Sequence, residues 1–480
     1  MLKTTIRIIA IIGFIFITQS CEKLIEVDPP IDQQIGQSIF DSDINAASVL
    51  TGLYTRISSF NFDDMSMRLG LASDELETNA PPNSILSLIY TNSISKEGNQ
   101  LFWTSLYEYI FRINSAIEGI TSSKGLSSLV KQRLLGEAKF LRAFIYFHIV
   151  NLYGRAPLIT TTDAKINATK NRDDIDAIYE LVISDLKDAK FSLSDEYLSA
   201  NITTTTAERL RPNKSVASAL LARIYLYRSM WQNAEQEATE VINKTEDYRL
   251  VALDSVFLKN SLEAIWQLQP VDLTTNTKDA MLFYLKPSSI FSQPGPDGEA
   301  RPVYLNNNLY TKFSADDKRK DIWTDSVIVN GITYPFAFKY KVFETNQPLN
   351  EYIMVLRLAE QYLIRAEARL RQNKNTGLES SISDLNTIRA RAGLSSVNTN
   401  TDTEIFTLIM DERQRELFTE WGHRWFDLKR TNLVDIIMPP ITASKGGQWA
   451  SFKALYPIPI SDIKNNPSFQ QDQNPGYPAF

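Results

Sequence analysis

Apolar residues recur at steps of three and four along several stretches of this 480-residue chain, and that spacing limits its possible folds more than any other feature. The clearest run has its apolar positions at Leu134, Ala138, Leu141, Ile145, Ile149 and Leu152. Such steps place side chains on one face of a helix, which must then be buried against another element. Gly154 and Pro157 follow the run and predict where the helix ends. The sequence therefore predicts a long amphipathic helix at this point.

The same spacing predicts further helices in 174–192, 211–243, 357–372 and 403–422, and another before Gly393. Small residues that would allow two helices to approach closely recur at Ala217, Ala219, Ala222, Ala234 and Ala238. Helix pairs that repeat about every 34 residues are typical of tetratricopeptide-like stacking. We therefore predict a mainly α fold, a tetratricopeptide-like scaffold of helix pairs with a large irregular loop-rich region and a few short strands.

Two stretches interrupt the helical pattern. Residues 57–100 and 244–350 are rich in Asn, Pro and Thr, and the second contains the strand-like pieces "AIWQLQPV", "SVIVNGITY" and "FAFKYKVF". We predict a single domain over 37–480 with its helical scaffold at about 37–56, 101–243 and 351–430, irregular binding segments at about 57–100 and 244–350, and a tail at 431–480. Long loops on a rigid scaffold are where binding residues concentrate.

The N-terminus is typical of a secretory signal that ends at the only cysteine of the chain. Lys3 and Arg7 precede ten apolar residues at 8–17, too few for the roughly 20 that cross a bilayer, and Ser20 then precedes Cys21. We predict a lipoprotein signal peptide over 1–20, a lipid on Cys21 and a tether over 21–36. The alternative is an ordinary secreted protein with an incidental cysteine.

Common catalytic and metal-binding signatures are absent from the sequence. It has no GxSxG, P-loop or HExxH motif, and His148 and His423 are its only histidines. We expect no cofactor and no His/Cys metal site, and a net charge of −6 gives no basic surface for nucleic acid. Two possibilities stay open, an oxygen-ligand calcium site at the "NRDD" of 171–174 and a glycosidase site among Asp74, Glu75 and Glu77.

Acids and arginines alternate near the C-terminal end of the last long helix. The residues concerned are Glu412, Arg413, Arg415, Glu416, Arg424, Asp427 and Arg430. Helical spacing puts Glu412 and Glu416 on the same stripe as Ile405 and Ile409, so the two acids would face the core. Buried acids need partners, and arginine satisfies carboxylates well. We predict a buried structural ion network, with an acid–base site as the alternative.

Six stretches, taken in order, resemble one protein family. They are "GEAKFLRAFIYFHIVNLYGRAPL", "KSVASALLARIYLYRSMW", "RLAEQYLIRAEARL", "LNTIRARAGL", "ERQRELFTEWGHRWFDLKR" and "LYPIPISDIKNNPSFQQDQNPGY". The chain resembles the SusD/RagB family of nutrient-binding outer-membrane lipoproteins from residue 21 to residue 477. The resemblance implies an outward-facing, lipid-anchored binding protein of the cell outer membrane that is not an enzyme. It also implies that the protein delivers an oligosaccharide to a partner SusC-type TonB-dependent transporter for import.

Sugar rings lie flat on aromatic side chains, and their hydroxyls bond to acids and amides at the edges. The irregular segments supply both kinds of residue, and we predict glycan contacts at Asp74, Glu77, Asn79, Tyr90, Tyr284, Tyr304, Asn306, Tyr310 and Trp323. These positions rest on composition and location alone. Trp103, Tyr107, Trp231, Trp421 and Trp425 lie in scaffold stretches instead, so we predict that they pack in the core.

Three competing functions fit the same residues. The fold could bind peptides in place of sugars, the chain could be a lipid-anchored glycoside hydrolase, or it could mainly gate the transporter and bind cargo weakly.

Overall fold

A computed structural model describes residues 39–59, 62–94, 101–272, 274–469 and 472–478. The predicted signal peptide, Cys21 and the tether to residue 36 lie outside the described residues. The helices are α1 (Asp43–Ser59), α2 (Phe62–Ala72), α3 (Ile85–Tyr90), α4 (Trp103–Ser122), α5 (Ser128–Tyr153), α6 (Ala164–Asn167), α7 (Ile175–Ser192), α8 (Lys214–Tyr227), α9 (Trp231–Ile242), α10 (Lys278–Phe283), α11 (Asn307–Lys312), α12 (Lys318–Trp323), α13 (Leu358–Leu370), α14 (Ser381–Arg391), α15 (Asp402–Leu417), α16 (His423–Arg430), α17 (Val434–Ser444) and α18 (Ile460–Asn465). The fold is therefore mainly α, as predicted.

The long helix predicted from apolar spacing is α5. Its residues Leu134, Ala138, Leu141, Ile145 and Ile149 are all fully buried. The helix ends at Gly154, whose φ of 71° lies in the left-handed region that side chains with a Cβ rarely adopt. The predicted helices α7, α8, α9, α13, α14 and α15 are confirmed in the same way.

Neighbouring helices pack in pairs, α4 on α5, α5 on α7, α7 on α8 and α8 on α9. The small residues predicted on α8 and α9 are all fully buried: Ala217, Ala219, Ala222, Ala234 and Ala238. Helix α9 then packs on α13, although more than a hundred residues separate them in sequence. The segment that interrupts the sequence pattern therefore loops out of a helical stack that is continuous in space.

Six short strands form three antiparallel pairs. The strands are β1 (Leu76–Thr78), β2 (Ala264–Leu268), β3 (Val303–Leu305), β4 (Thr324–Val329), β5 (Ile332–Ala337) and β6 (Ile353–Arg357), paired β1–β3, β2–β6 and β4–β5. The strand-like pieces predicted at "AIWQLQPV" and "SVIVNGITY" are confirmed as strands, and the second piece forms the hairpin of β4 and β5. Asn330 and Gly331 turn that hairpin at φ values of 51° and 81°.

Two details of the predicted layout are wrong. Residues 57–100 include all of α2 and α3, because apolar residues such as Leu69 and Ile89 give that stretch a buried face. The strand predicted at "FAFKYKVF" ends at Ala337, and residues 338–343 are irregular. Of the residues predicted to pack in the core, Trp103, Trp421 and Trp425 are buried, whereas Tyr107 and Trp231 are only half-buried against the core.

The structure places the acids and arginines of 412–430 in buried ion pairs. Glu416 accepts from Arg357 at 2.6 Å and from Arg319 at 2.8 Å, and it also pairs with Arg391. Glu412 pairs with Arg319 at 2.7 Å and with Arg415 at 2.8 Å. The end of α15 is thereby joined to α12, β6 and α14.

A second group of pairs holds α16. Asp427 accepts from both Arg413 and Arg430 at 2.7 Å, and Arg430 also binds both oxygens of Glu367. Arg424 reaches the segment before β1 and binds both oxygens of Asp74 at 2.7 Å. These contacts fix the helical scaffold to the base of strand β1, where the candidate site lies.

Candidate functional site

Strands β1 and β3 bring together two of the irregular segments. Leu76, Val303 and Leu305 are buried on the inner side of this pair, so the alternating residues Glu77 and Tyr304 face the other way. Glu77 and Tyr304 are direct partners in the register, which puts their Cβ atoms about 5 Å apart. Both side chains are half-buried.

Glu77 is the centre of a hydrogen-bonded cluster. Its carboxylate accepts from the Tyr90 hydroxyl on α3 and, through Oε1, from the Asn306 side-chain amide. Asn306 is itself held in place, since its Oδ1 caps α11 by accepting from the Asn308 backbone at 2.8 Å. We call Glu77, Tyr90, Tyr304 and Asn306 the Glu77 cluster. Four of the nine predicted contact residues thus lie side by side.

The electrostatics of the cluster follow from its single carboxylate. Burial, the hydrogen bond to Glu77 and the charge of Glu77 raise the pKa of Tyr90 above its ordinary range. Burial, Glu77 and Tyr334 raise the pKa of Tyr304 to about 12. Both phenols therefore keep their protons at neutral pH and can donate hydrogen bonds.

An aromatic row on β5 extends the cluster. Tyr334 packs edge-on against Tyr304 with ring centroids 5.0 Å apart. Two residues along the same face of β5, Phe336 packs edge-on against Tyr284 at 5.6 Å. Phe343 covers one face of the Tyr284 ring by stacking at 3.5 Å. Tyr284, which follows α10, thus packs against the same aromatic row that contacts Tyr304 through Tyr334.

Asn79 and Tyr310 lie at the margins. Asn79 follows β1, its backbone amide bonds to the Pro302 carbonyl at 3.0 Å, and its side chain is exposed. Tyr310 is on α11, where the Lys320 ammonium lies 5.3 Å from its ring centroid.

Two predicted glycan contacts are wrong, because their side chains are buried and bonded to partners outside the Glu77 cluster. Asn306 is also buried, at 7% exposed, but it bonds to Glu77 within the cluster. Trp323 is fully buried, donates to the Leu253 carbonyl at 2.8 Å, and has Lys339, Arg357 and Arg391 around its ring. Asp74 is 7% exposed and belongs to the ion pair with Arg424. Although burial raises the pKa of Asp74, Arg424 outweighs that effect and lowers it.

Two residues beside the Glu77 cluster, Tyr334 and Lys445, were not predicted from the sequence as glycan contacts. Tyr334 could have been found, because the alternation of "ITYPFAF" puts it on one face with Phe336 and Phe338. Lys445 gave no sequence signal; its ammonium lies 4.8 Å from the Tyr90 ring centroid and donates to the Leu71 and Ser73 carbonyls. Burial lowers the pKa of Lys445 to about 8, against the opposing charges of Asp74 and Glu77.

The acids of the possible calcium site at 171–174 are bonded to protein groups in the structure. At the "NRDD" stretch, Asp173 accepts from the Leu158 backbone at 2.8 Å and Asp174 pairs with Arg155 at 3.1 Å. In the described ranges, no three His, Cys, Asp or Glu side chains are grouped so that they could hold a metal ion. No helix among the described residues is long and apolar enough to cross a membrane.

Comparison with known proteins gives consistent matches along the chain. A sequence profile described as "SusD family" matches residues 222–477, and one described as "Starch-binding associating with outer membrane" matches residues 23–226. SusD-like protein P25 of Formosa agariphila is 24% identical over 98% of this chain and 99% of its own length.

Solved structures share the fold. A SusD superfamily protein from Parabacteroides distasonis superposes with a TM-score of 0.76 at 22% identity, covering 90% of this chain and 98% of its own. A laminarin-binding SusD-like protein superposes with a TM-score of 0.71 at 24% identity, covering 90% of this chain and 99% of its own. At these identities the likeness establishes the fold alone.

Proposed function

Because the chain belongs to the SusD family, we propose that it binds an oligosaccharide at the Glu77 cluster and is not an enzyme. In this proposal the protein is held to the outside of the outer membrane by a lipid on Cys21. It passes the oligosaccharide to a SusC-type TonB-dependent transporter for import.

The observation that carries the binding proposal is the joining of aromatic and polar groups by the β1–β3 register. Tyr304 stands directly opposite Glu77, and Asn306 and Tyr90 both bond to that carboxylate. A sugar needs an apolar ring face and edge groups that accept and donate hydrogen bonds. The edge groups here are already fixed by hydrogen bonds, so little side-chain freedom is lost on binding.

Burial of two acids supports binding over cleavage. A glycosidase flanks the scissile bond with two carboxyl groups. Of the acids predicted as a possible pair, Asp74 and Glu75 are 7% and 2% exposed, and only Glu77 is open to a ligand. Incubation with an oligosaccharide that the protein binds should therefore yield no shorter products, and cleavage products would overturn this part of the proposal.

A glycan array tests the binding site. The purified full-length protein in detergent is applied to an array of oligosaccharides and peptides, beside the variants Tyr304→Ala and Tyr362→Ala. Tyr362 is a matched control, because it is also half-buried but packs on the helical scaffold. We expect Tyr304→Ala to weaken oligosaccharide binding by about tenfold or more, as stacking and a hydrogen bond are lost together. Equal binding by both variants, or binding of peptides alone, would contradict the proposal.

Anchoring and delivery need separate tests. Labelled palmitate should enter the wild-type protein and should not enter Cys21→Ala. The transporter should co-purify with the wild-type protein from solubilised outer membranes. Recovery of the unlabelled protein free in the periplasm would refute the anchor without touching the binding site.

A further inference from the structure

A cleft of about 380 Å³ lies between helix α4 and the C-terminal segment. Its lining includes Tyr107, Phe111, Pro157, Asn167, Asp462 and Asn465. None of these residues belongs to the Glu77 cluster or to the aromatic row on β5. The volume falls in the roughly 300–1,000 Å³ range of small-molecule pockets.

One wall of the cleft is aromatic. Tyr107 and Phe111 are one turn apart on α4 and therefore lie on the same helix face. The Tyr107 hydroxyl donates to the Pro157 carbonyl at 2.9 Å, which fixes the half-buried ring. Phe111 is 53% exposed and leaves apolar ring surface open to the cleft.

The C-terminal segment that lines the cleft carries hydrogen-bonding groups. Asp462 is held by the Trp103 indole, which donates to its Oδ1 at 3.1 Å, and by the Ser461 hydroxyl, which donates to its Oδ2 at 3.0 Å. Each carboxylate oxygen has a further lone pair that can accept from a ligand hydroxyl. Trp103 thus acts as a positioning residue and is itself only 2% exposed.

Two amides complete the polar wall. The Asn167 amide nitrogen donates to the Thr161 carbonyl at 2.8 Å, which leaves its Oδ1 as an acceptor. Asn465 is exposed on α18 and can offer both its oxygen and its nitrogen. The cleft is therefore lined both by aromatic rings and by groups that can accept and donate hydrogen bonds.

A cavity of about 270 Å³ elsewhere in the fold lacks this combination. It is lined by Tyr54 and Arg211 among others. Tyr54 is only 9% exposed, and its hydroxyl donates to Glu137, which also binds Arg211 at 2.6 Å. The polar groups of Tyr54 and Arg211 are therefore already bonded to Glu137 inside the protein.

We propose that the α4 cleft is a second saccharide-binding site, separate from the Glu77 cluster, which takes one pyranose ring against Tyr107 and Phe111. The ring's C–H face lies on the aromatic wall, and its hydroxyls bond to Asp462, Asn465 and Asn167. This inference rests on the proposed function only for the class of ligand, since the two sites share no residue.

Saturation-transfer-difference NMR on the full-length protein in detergent tests the cleft. The probes are free D-glucose, D-galactose, D-mannose and D-xylose, each small enough for one ring to occupy the cleft. We expect at least one sugar to give a signal that survives Tyr304→Ala and that weakens about tenfold in Phe111→Ala. Phe191→Ala is the matched control, because Phe191 is 82% exposed on α7 and should not change the signal.

Every other outcome overturns the second site. It fails if no sugar gives a signal, if Tyr304→Ala abolishes every signal, or if Phe111→Ala leaves the signals unchanged. Asn465→Ala, at an exposed position, repeats the test without touching packed side chains. If the array shows Tyr304-dependent oligosaccharide binding while these sugars are silent, the cleft fails and the proposed function stands. Silence in both experiments refutes both.

Discussion

Replacing Glu416 by glutamine should strongly destabilise the protein. Glu416 is fully buried and pairs with three arginines, Arg319, Arg357 and Arg391. Glutamine has the same shape but removes the negative charge, and its amide nitrogen would aim donors at guanidinium groups that also donate. The three buried arginines would then have one carboxylate fewer to neutralise their charge, and water cannot replace it.

The size of the destabilisation depends on which carboxylates still pair with each arginine in Glu416→Gln. Removing one partner of a buried ion pair costs about 3–5 kcal/mol. Glu263 still pairs with Arg357 and Arg391, and Glu412 still pairs with Arg319, so the remaining acids neutralise part of the charge. We therefore expect a loss near the lower end, about 3 kcal/mol of unfolding free energy.

The assay is urea unfolding followed by tryptophan fluorescence, with Glu108→Gln as the matched control. Glu108 pairs with Arg112 at 2.7 Å, but its side chain is 53% exposed, so its loss should change stability by less than about 1 kcal/mol. If Glu416→Gln lies within about 1 kcal/mol of this control, the reasoning on buried charge is wrong.

The pH dependence of the free energy of unfolding provides a second test of the prediction for Glu416. Burial raises the pKa of Glu416, but Arg391, Arg357 and Arg319 outweigh it and hold that pKa well below 4.5. The unfolded chain therefore binds the proton first as the pH falls. The advantage of the wild type over Glu416→Gln should be complete above pH 4.5 and shrink below it.

Two further predictions concern the surroundings of the candidate site. Burial, and after it the charge of Asp74, raises the pKa of Glu75 from 4.5 to about 8. The Glu75 carboxyl group therefore takes up a proton when the chain folds, and the free energy of unfolding falls as the pH rises from 4.5 to about 8. Glu75→Gln lacks this proton, and its stability relative to the wild type should rise by about 1.4 kcal/mol per pH unit in urea unfolding across that window; a constant difference would contradict the raised pKa. Gly422 has a φ of 73°, and a Cβ there would lie 2.2 Å from the Leu69 side chain, whereas Gly331 at 81° has open space around it. Thermal unfolding should therefore show Gly422→Ala to be less stable than Gly331→Ala by at least about 1 kcal/mol, and equal losses would show that Leu69 moves aside freely.

Two of the nine predicted contact residues, Trp323 and Asp74, were wrong for a definite physical reason. Trp323 and Tyr304 both looked like aromatics in a loop-rich segment, yet one is fully buried and the other is half-buried beside Glu77. Trp323 is covered by Lys339, Arg357 and Arg391, and the last two lie more than thirty residues further along the chain. No local pattern around a tryptophan records which distant cations will approach it.

The cluster itself depends on contacts far apart in sequence. Asn306 and Glu77 are 229 residues apart, and they meet only because β1 pairs with β3. The sequence shows which residue types the two segments contain, but the register of β1 and β3 determines which of these residues come into contact. Alternation alone places Tyr334 on one face of β5, but its contact with Tyr304 depends on β5 packing beside β3.

The amino-acid sequence by itself determined most of the long scaffold helices and the end of α5 at Gly154, because the period of 3.6 residues and a glycine at a stop act within a few turns of chain. It also determined that Glu412 and Glu416 would need buried cations, since helical spacing put them on the apolar stripe of α15. Only the tertiary structure decided which aromatic faces stay open and which acids are already paired. Exposure is set by all the segments that pack around a side chain, and most of those are distant in sequence.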